Sequence, residues 1–176
     1  TGQTRFEPLR EHADAVRSVA WSPDDHLLAS ASRDKTVRLW DVINARSIGA
    51  PLSGHTQEVF SVAFNVDGQM LASGSADHTV ILWDVDSRNA LIQLRSHTHW
   101  VRALAFSPTE DVLASTGFDG LVLLDQIRLS TLSTDQSPIE RACAQAKRNF
   151  TQDEWKQFFG KDMPYRVTCP QWPEGK

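Results

Sequence analysis

LASGSADHTVILWD, residues 71–84, decides how this chain folds, because close variants of it stand at two other places. LASASRDKTVRLWD begins at Leu28 and LASTGFDGLVLLDQ at Leu113, so the steps are 43 and then 42 residues. A second block keeps the same steps upstream: VRSVAWSP from Val16, VFSVAFNV from Val59 and VRALAFSP from Val101. A histidine (His12, His55, His97) and a leucine three residues before it (Leu9, Leu52, Leu94) move in step with both blocks. Self-similarity at a period of about 40 residues marks a repeat architecture, in which each unit is one supersecondary element stacked on the next.

Within one unit the alternation of strand formers and turn formers is regular. Val59–Phe64 is short, β-branched and aromatic and predicts a strand. Asp67-Gly68 allows the positive φ of a tight turn, and Met70–Ser75 predicts a second strand. A turn over 76–78 carries Asp77 and leads to a third strand over Thr79–Trp83, whose apolar run suits burial on both faces. A polar turn over 84–89 precedes a fourth strand over Ala90–Leu94. Four antiparallel strands in such a span make one blade of a propeller.

At these residues the unit resembles the WD40 repeat, with Gly54-His55 as the first signature and Trp83-Asp84 as the second. Unit one has Glu11-His12 and Trp40-Asp41; unit three has Ser96-His97, and Asp125-Gln126 stands where Trp-Asp belongs. The resemblance covers residues 1–132. It implies an all-β fold of three four-stranded antiparallel blades, an incomplete propeller, with a small α-helical tail over 133–176. In that family the first strand of each unit completes the preceding blade, and residues 4–9 match that position, Pro8-Leu9 aligning with Pro51-Leu52. Propellers close with about 4–8 blades. Three blades leave two apolar side faces, so the expectation is either the C-terminal part of a longer propeller or closure with a second copy.

Each unit also repeats a set of polar residues. His12 and Asp34, His55 and Asp77, and His97 and Asp119 are all 22 residues apart, and Ser30, Ser73 and Ser115 lie ten residues before the Trp position. The resemblance implies that Asp, His, Ser and Trp form a hydrogen-bonded set: His12, Ser30, Asp34, Trp40; His55, Ser73, Asp77, Trp83; and His97, Ser115, Asp119 without an indole. Blades packed on both sides bury these groups, and each one left unpaired costs about 1–3 kcal/mol. Ser32 and Ser75 point the same way along the strand and compete for the serine role. The same residue types spell a hydrolase triad, but a catalytic site is needed once and this set recurs three times, with no Gly-x-Ser-x-Gly elbow. His97-Thr98-His99 lacks evident carboxylate or cysteine company, so His99 reads as a loop histidine and no metal or other cofactor is expected.

Partner contacts in the family lie beside the first valine of the repeat and just before the turn Asp. Carried over, these positions are Ala15, Arg17 and Arg33; Glu58, Phe60 and Ala76; and Trp100, Arg102 and Phe118. Arg, Phe and Trp supply rigid or multivalent contacts of the kind interface hot spots use. Two readings stay open: these aromatics bind a partner, or they pack against loops of neighbouring blades. Trp100 and Phe118 are expected close together on one blade.

After Leu132 the composition changes. Ser137-Pro138-Ile139-Glu140 reads as a capped helix start, and Thr151-Gln152-Asp153-Glu154 as a second capping box before Trp155, Phe158 and Phe159. This tail, expected to dock on the last blade, is similar to the C-terminus of large bacterial WD40 proteins whose upstream part is a STAND-type NTPase or another effector. The pattern runs from Ala142-Cys143 through Glu154-Trp155 to Thr168-Cys169-Pro170. Cys143 and Cys169 are two packed thiols or a disulfide, and a reducing cytoplasmic setting favours thiols.

The chain has 176 residues, a formal net charge of −4 and 40% hydrophobic residues. Mild acidity gives no reason to expect nucleic acid, and no apolar run approaches the ~20 residues a membrane helix needs. Thr1 opens the chain with no signal-peptide pattern after it, so a piece of something longer is expected. The reading is a non-catalytic protein-protein interaction module, the sensor or scaffold propeller of a bacterial signalling protein. A eukaryotic-type scaffold, or an enzyme built on the repeat's polar residues, is the alternative.

Overall fold

The computed structural model describes residues 7–127, all within one compact unit. Every strand pair in this stretch is antiparallel, as the tight connections between successive strands require. The first sheet runs β1 (Val16–Trp21), β2 (Leu27–Ser32), β3 (Thr36–Asp41), and then an outer strand in two short pieces, β4 (Arg46–Ser47) and β5 (Leu52–Ser53), both on β3. The second is an unbroken four-stranded blade: β6 (Val59–Phe64), β7 (Met70–Ser75), β8 (Val80–Asp84), β9 (Ala90–Leu94). The third holds β10 (Val101–Phe106), β11 (Val112–Gly117) and β12 (Val122–Gln126).

The expected four-stranded blade is met in the middle sheet, the first sheet divides its outer strand in two, and the place of a fourth strand in the third falls past Ile127, outside the described residues. Of the first two blades, only the middle one has a continuous fourth strand. In the first, Gly49 at φ 66° bends the chain and Pro51 has no N–H to give the ladder, so the outer strand breaks between β4 and β5. The third has three strands up to Ile127. The third strand of the middle blade starts at Val80 rather than Thr79, because Thr79 is drawn into the turn by its bonds to Asp77. The helices read over 133–176, and the state of Cys143 and Cys169, lie outside the described residues.

The repeat governs backbone conformation as well as sequence. Positive φ recurs at Asp25 and Gly68, at Lys35, His78 and Gly120, and at Ala45 and Arg88. Each group shares one turn position, so the turns keep their geometry even where the residue is not glycine. Each innermost strand begins with a register shift, between Val16 and Ser18, Val59 and Ser61, and Val101 and Ala103. One residue at each shift, Arg17, Phe60 or Arg102, is left out of the ladder and its side chain is re-aimed.

The core lies between blades. Ala29, Ala31, Val37 and Leu39 of the first blade pack in one cluster with Val62, Leu71, Ile81 and Trp83 of the second. Burying each large aliphatic side chain here contributes about 1.5–3 kcal/mol. The second and third blades approach more closely: a Cβ on Gly74 would stand 2.8 Å from Val101 Cγ1, so only glycine fits that strand position. Ser61 Oγ also reaches across to accept the Leu104 N–H at 3.1 Å.

Candidate protein-interaction site

Each blade ties its turns down with a buried chain of hydrogen bonds. In the middle blade His55 Nδ1 lies 3.0 Å from Asp77 Oδ2, His55 Nε2 lies 2.8 Å from Ser73 Oγ, and the Trp83 indole N–H donates to Ser73 Oγ at 2.8 Å. The first blade repeats this with His12, Asp34, Ser30 and Trp40 at 2.7, 2.7 and 2.8 Å. The third joins His97 to Asp119 at 2.8 Å and to Ser115 at 2.9 Å, with no indole. The directions follow from chemistry. An ionised carboxylate has no proton, so Nδ1–H donates to it. Nε2 of the neutral ring then accepts from the serine O–H, and the serine oxygen accepts from the indole. Ser32 and Ser75 are not members: their hydroxyls donate to backbone carbonyls, Ser32 to Asp14 and Ser75 to Gln57 and Glu58.

The aspartate is the hub of each set. Asp77 also accepts the Thr56 N–H at 2.8 Å and both the N–H and the hydroxyl of Thr79, at 3.1 and 2.6 Å. Burial pushes the carboxyl of Asp34 up, but the bonds from the Thr36 hydroxyl, His12, and the Ala13 and Thr36 N–H groups outweigh it and hold it at about 2. The same contest, burial against donors from His55, Thr79 and Thr56, leaves Asp77 well below the ordinary carboxylate range. Asp119 is lowered too, against its own burial, by the Leu121 N–H, His97 and Thr98. Leu121 replaces the threonine there, so the third hub lacks a hydroxyl donor as well as an indole.

These sets do not have the geometry of a nucleophile. Ser30, Ser73 and Ser115 are buried, and in two blades the serine oxygen is already held by an indole. Their physical effect is to pin the loop before each innermost strand to the turn after the second strand. That places the loops at one end of the blades.

At that end the proposed contact positions come together in pairs. Backbone bonds join Arg33 N–H to Ala15 O, Ala76 N–H to Glu58 O, and Phe118 N–H to Trp100 O, at 2.9, 2.9 and 3.0 Å. Across the second and third blades an aromatic cluster forms. Trp100 stacks on Phe118 with centroids 5.6 Å apart, Phe60 lies 5.7 Å from Trp100, and the Arg102 guanidinium sits 4.2 Å over Phe60 and 5.3 Å from Phe118. Phe118 is 59% exposed while Phe60 is only 8% exposed. Phe60 therefore lies as a floor beneath the more exposed members of the cluster. Arg17 is held by Glu58 at 2.9 Å, and Arg33 stands 3.8 Å from Asp14.

Two features had no clear signal in the sequence. One is the bulge that turns Phe60 and Arg102 out of the ladder; its only trace is the recurring residue after the first valine. The other is the stack of His78 on His99, centroids 5.7 Å apart, which extends the cluster. His99 is exposed, and its Nδ1 accepts the Trp100 N–H at 2.8 Å. No group of three or more metal-ligating side chains occurs among the described residues.

With this geometry established, the comparison with family models is decisive. The model described as "WD domain, G-beta repeat" matches residues 3–41, 47–84 and 88–124. The chain belongs to the WD40 repeat family. This WD40 chain is similar to human "WD repeat and SOCS box-containing protein 1", 39% identical over 66% of this chain and 18% of that protein. It is also similar to a "Probable cytosolic Fe-S cluster assembly factor" of Schizosaccharomyces pombe, 50% identical over 85% of this chain and 24% of that protein. Its fold matches the crystal structure of RRP9 WD40 repeats with a TM-score of 0.65 and 29% identity, over 68% of this chain and 37% of that one. The WD40 chain thus spans about a fifth of the length of these curated relatives. Both of these curated relatives are eukaryotic, and WD40 propellers serve in general as protein-interaction scaffolds.

Proposed function

We propose that this WD40 chain is a non-catalytic module that binds a protein partner on the cluster of Phe60, Trp100, Arg102 and Phe118, flanked by Arg17 with Glu58 and by Arg33. The observation that carries the reading is Phe118: a large aromatic, exposed, stacked on a second aromatic and beside a guanidinium. Aromatic and arginine side chains that are already ordered lose little entropy on binding, so their buried area converts efficiently into affinity. The buried, thrice-repeated serines support the non-catalytic part of the reading.

The wider setting is a sensor or scaffold element of a larger cytoplasmic signalling protein. The residue pattern over 142–170 supports a bacterial effector protein, and the SOCS-box relative supports a eukaryotic adaptor instead. The full open reading frame around this segment separates the two.

The test of the surface is quantitative affinity capture from the source organism with the full chain, its Phe118→Ala and Arg102→Ala variants, and Ile43→Ala. Ile43 is exposed and lies in the turn between β3 and β4 of the first blade, whereas the cluster is built from the second and third. A protein recovered by the parent and by Ile43→Ala, and lost from both cluster variants, is the expected result. Recovery that ignores Phe118→Ala and Arg102→Ala sinks the assignment of the surface.

A further inference from the structure

Phe118 is ringed by groups that give hydrogen bonds and do not take them. Three side chains lie against it: Trp100 and His99, with centroids 5.6 and 5.8 Å away, and the Arg102 guanidinium at 5.3 Å. A guanidinium and an indole have donors and no acceptor. A neutral imidazole has one of each, but His99 Nδ1 already accepts the Trp100 N–H at 2.8 Å. The ring proton is therefore on Nε2, and the nitrogen left for an outside group is a donor. The ring is also held in place, stacked on His78 with centroids 5.7 Å apart and planes 22° from parallel. In the first blade the same loop position is Asp14, whose carboxylate accepts the next N–H, that of Ala15, at 2.7 Å. Taking up that N–H is thus a recurring role of the position, which fixes the tautomer of His99.

The carboxylates and loop carbonyls nearest the cluster are occupied from within the chain. The Glu58 carboxylate takes the Arg17 guanidinium at 2.9 Å, and the Glu58 carbonyl takes the Ala76 N–H and the Ser75 hydroxyl. The Trp100 carbonyl takes the Phe118 N–H. Asp77 and Asp119 hold their histidines and the N–H groups of Thr56 and Thr98. Donors grouped around an exposed ring, beside acceptors already filled, call for a partner that brings acceptors. Charge narrows the choice, because a bond from a guanidinium to an anion is roughly twice as strong as one between neutral groups. A run of phosphates fits poorly, since it needs a stripe of uncommitted cations. Arg17 is paired with Glu58, Arg33 stands 3.8 Å from Asp14, and the chain has a formal net charge of −4.

We infer that the partner docks an acidic peptide segment here, with Asp or Glu carboxylates on Arg102 and on His99 Nε2 and a neighbouring apolar side chain against Phe118. This rests on the reading that the Phe60, Trp100, Arg102 and Phe118 cluster is the binding surface, and adds the chemistry of what it binds.

The experiment selects peptides from a random phage-displayed library on the full chain, then measures one selected peptide by fluorescence polarisation. Selected sequences are expected to carry Asp or Glu beside a Leu, Ile, Phe or Trp residue. Arg102→Gln is expected to weaken binding about tenfold or more, with Arg102→Lys recovering part of the loss. His99→Phe keeps a ring but removes the donor, and about a two- to tenfold loss is expected. Arg102 and His99 are exposed, so these variants stay folded, as circular dichroism checks. Exchanging the acids of the peptide for their amides is expected to abolish binding. Neutral or basic peptides that still require Phe118 keep the surface and overturn the acidic partner. Peptides that ignore both Phe118→Ala and Arg102→Gln, or a failure to select any, overturn the surface and the acidic partner together. A single-stranded oligonucleotide that binds through Arg102 in place of the peptide assigns the donors to phosphate and overturns the inference.

Discussion

Removing the Asp77 carboxylate is the sharpest test of what the repeated polar sets do. Asp77→Ala takes the acceptor from His55 Nδ1, the Thr56 N–H, and the N–H and hydroxyl of Thr79. The Thr56 N–H is at the surface and rehydrates, but the Thr79 hydroxyl loses its acceptor, since the neighbouring Gln93 amide at 3.2 Å donates to it. His55 cannot rehydrate, because its side chain is only 1% exposed, and its Nδ1 keeps only the longer 3.3 Å contact with Thr79 Oγ1. Bonds to a charged group contribute about 1.5–3 kcal/mol each, so one fully lost and others partly lost give a cost of about 3 kcal/mol. For a chain of this size that corresponds to a Tm lower by about 6–12 °C. Urea unfolding followed by tryptophan fluorescence measures it, since Trp83 lies in the same set. Asp77→Asn keeps an acceptor oxygen of the same shape and is expected to lose about 1 kcal/mol. If Asp77→Ala costs under about 1 kcal/mol with an unchanged m-value, or if Asn costs as much as Ala, the buried-hub account is wrong.

Two further outcomes follow from the same geometry. Asp34 is held at about 2 in the folded chain against 3.8 for the free group, so the folded state binds fewer protons between those values. Its contribution is fully present above pH 3.8 and is lost as the pH falls towards 2; Asp34→Asn should flatten that limb of the stability curve, and an unchanged slope would count against the assignment. Lys35 occupies, at φ 72°, the turn position that Gly120 fills in the third blade. Lys35→Gly relieves a left-handed strain of about 1 kcal/mol and restores unfolded-chain freedom worth rather less, so a gain of about 0.5 kcal/mol is expected by urea unfolding. A loss of stability would show that the turn carries no such strain.

Much of this molecule can be read along the chain because its strands and turns are local, and the repeat prints each of them three times. Val59–Phe64, Met70–Ser75 and Ala90–Leu94 are strands at the ends their residue types indicate. The constant 22-residue step names the histidine and aspartate that meet, since both sit at turns whose spacing the intervening strands set. Tertiary structure decided what depends on a neighbour. Ser73 rather than Ser75 meets His55, because the pleat carries one hydroxyl towards the ring while the other reaches backbone carbonyls. Phe60 is a floor and Phe118 a surface, although both are phenylalanines at contact positions, because the bulge and the adjacent blade bury one and not the other. His78 and His99 stack only because two blades stand side by side. Composition and spacing carry the period of the chain. Packing between blades, which joins residues some 40 positions apart, determines which side of each strand is covered.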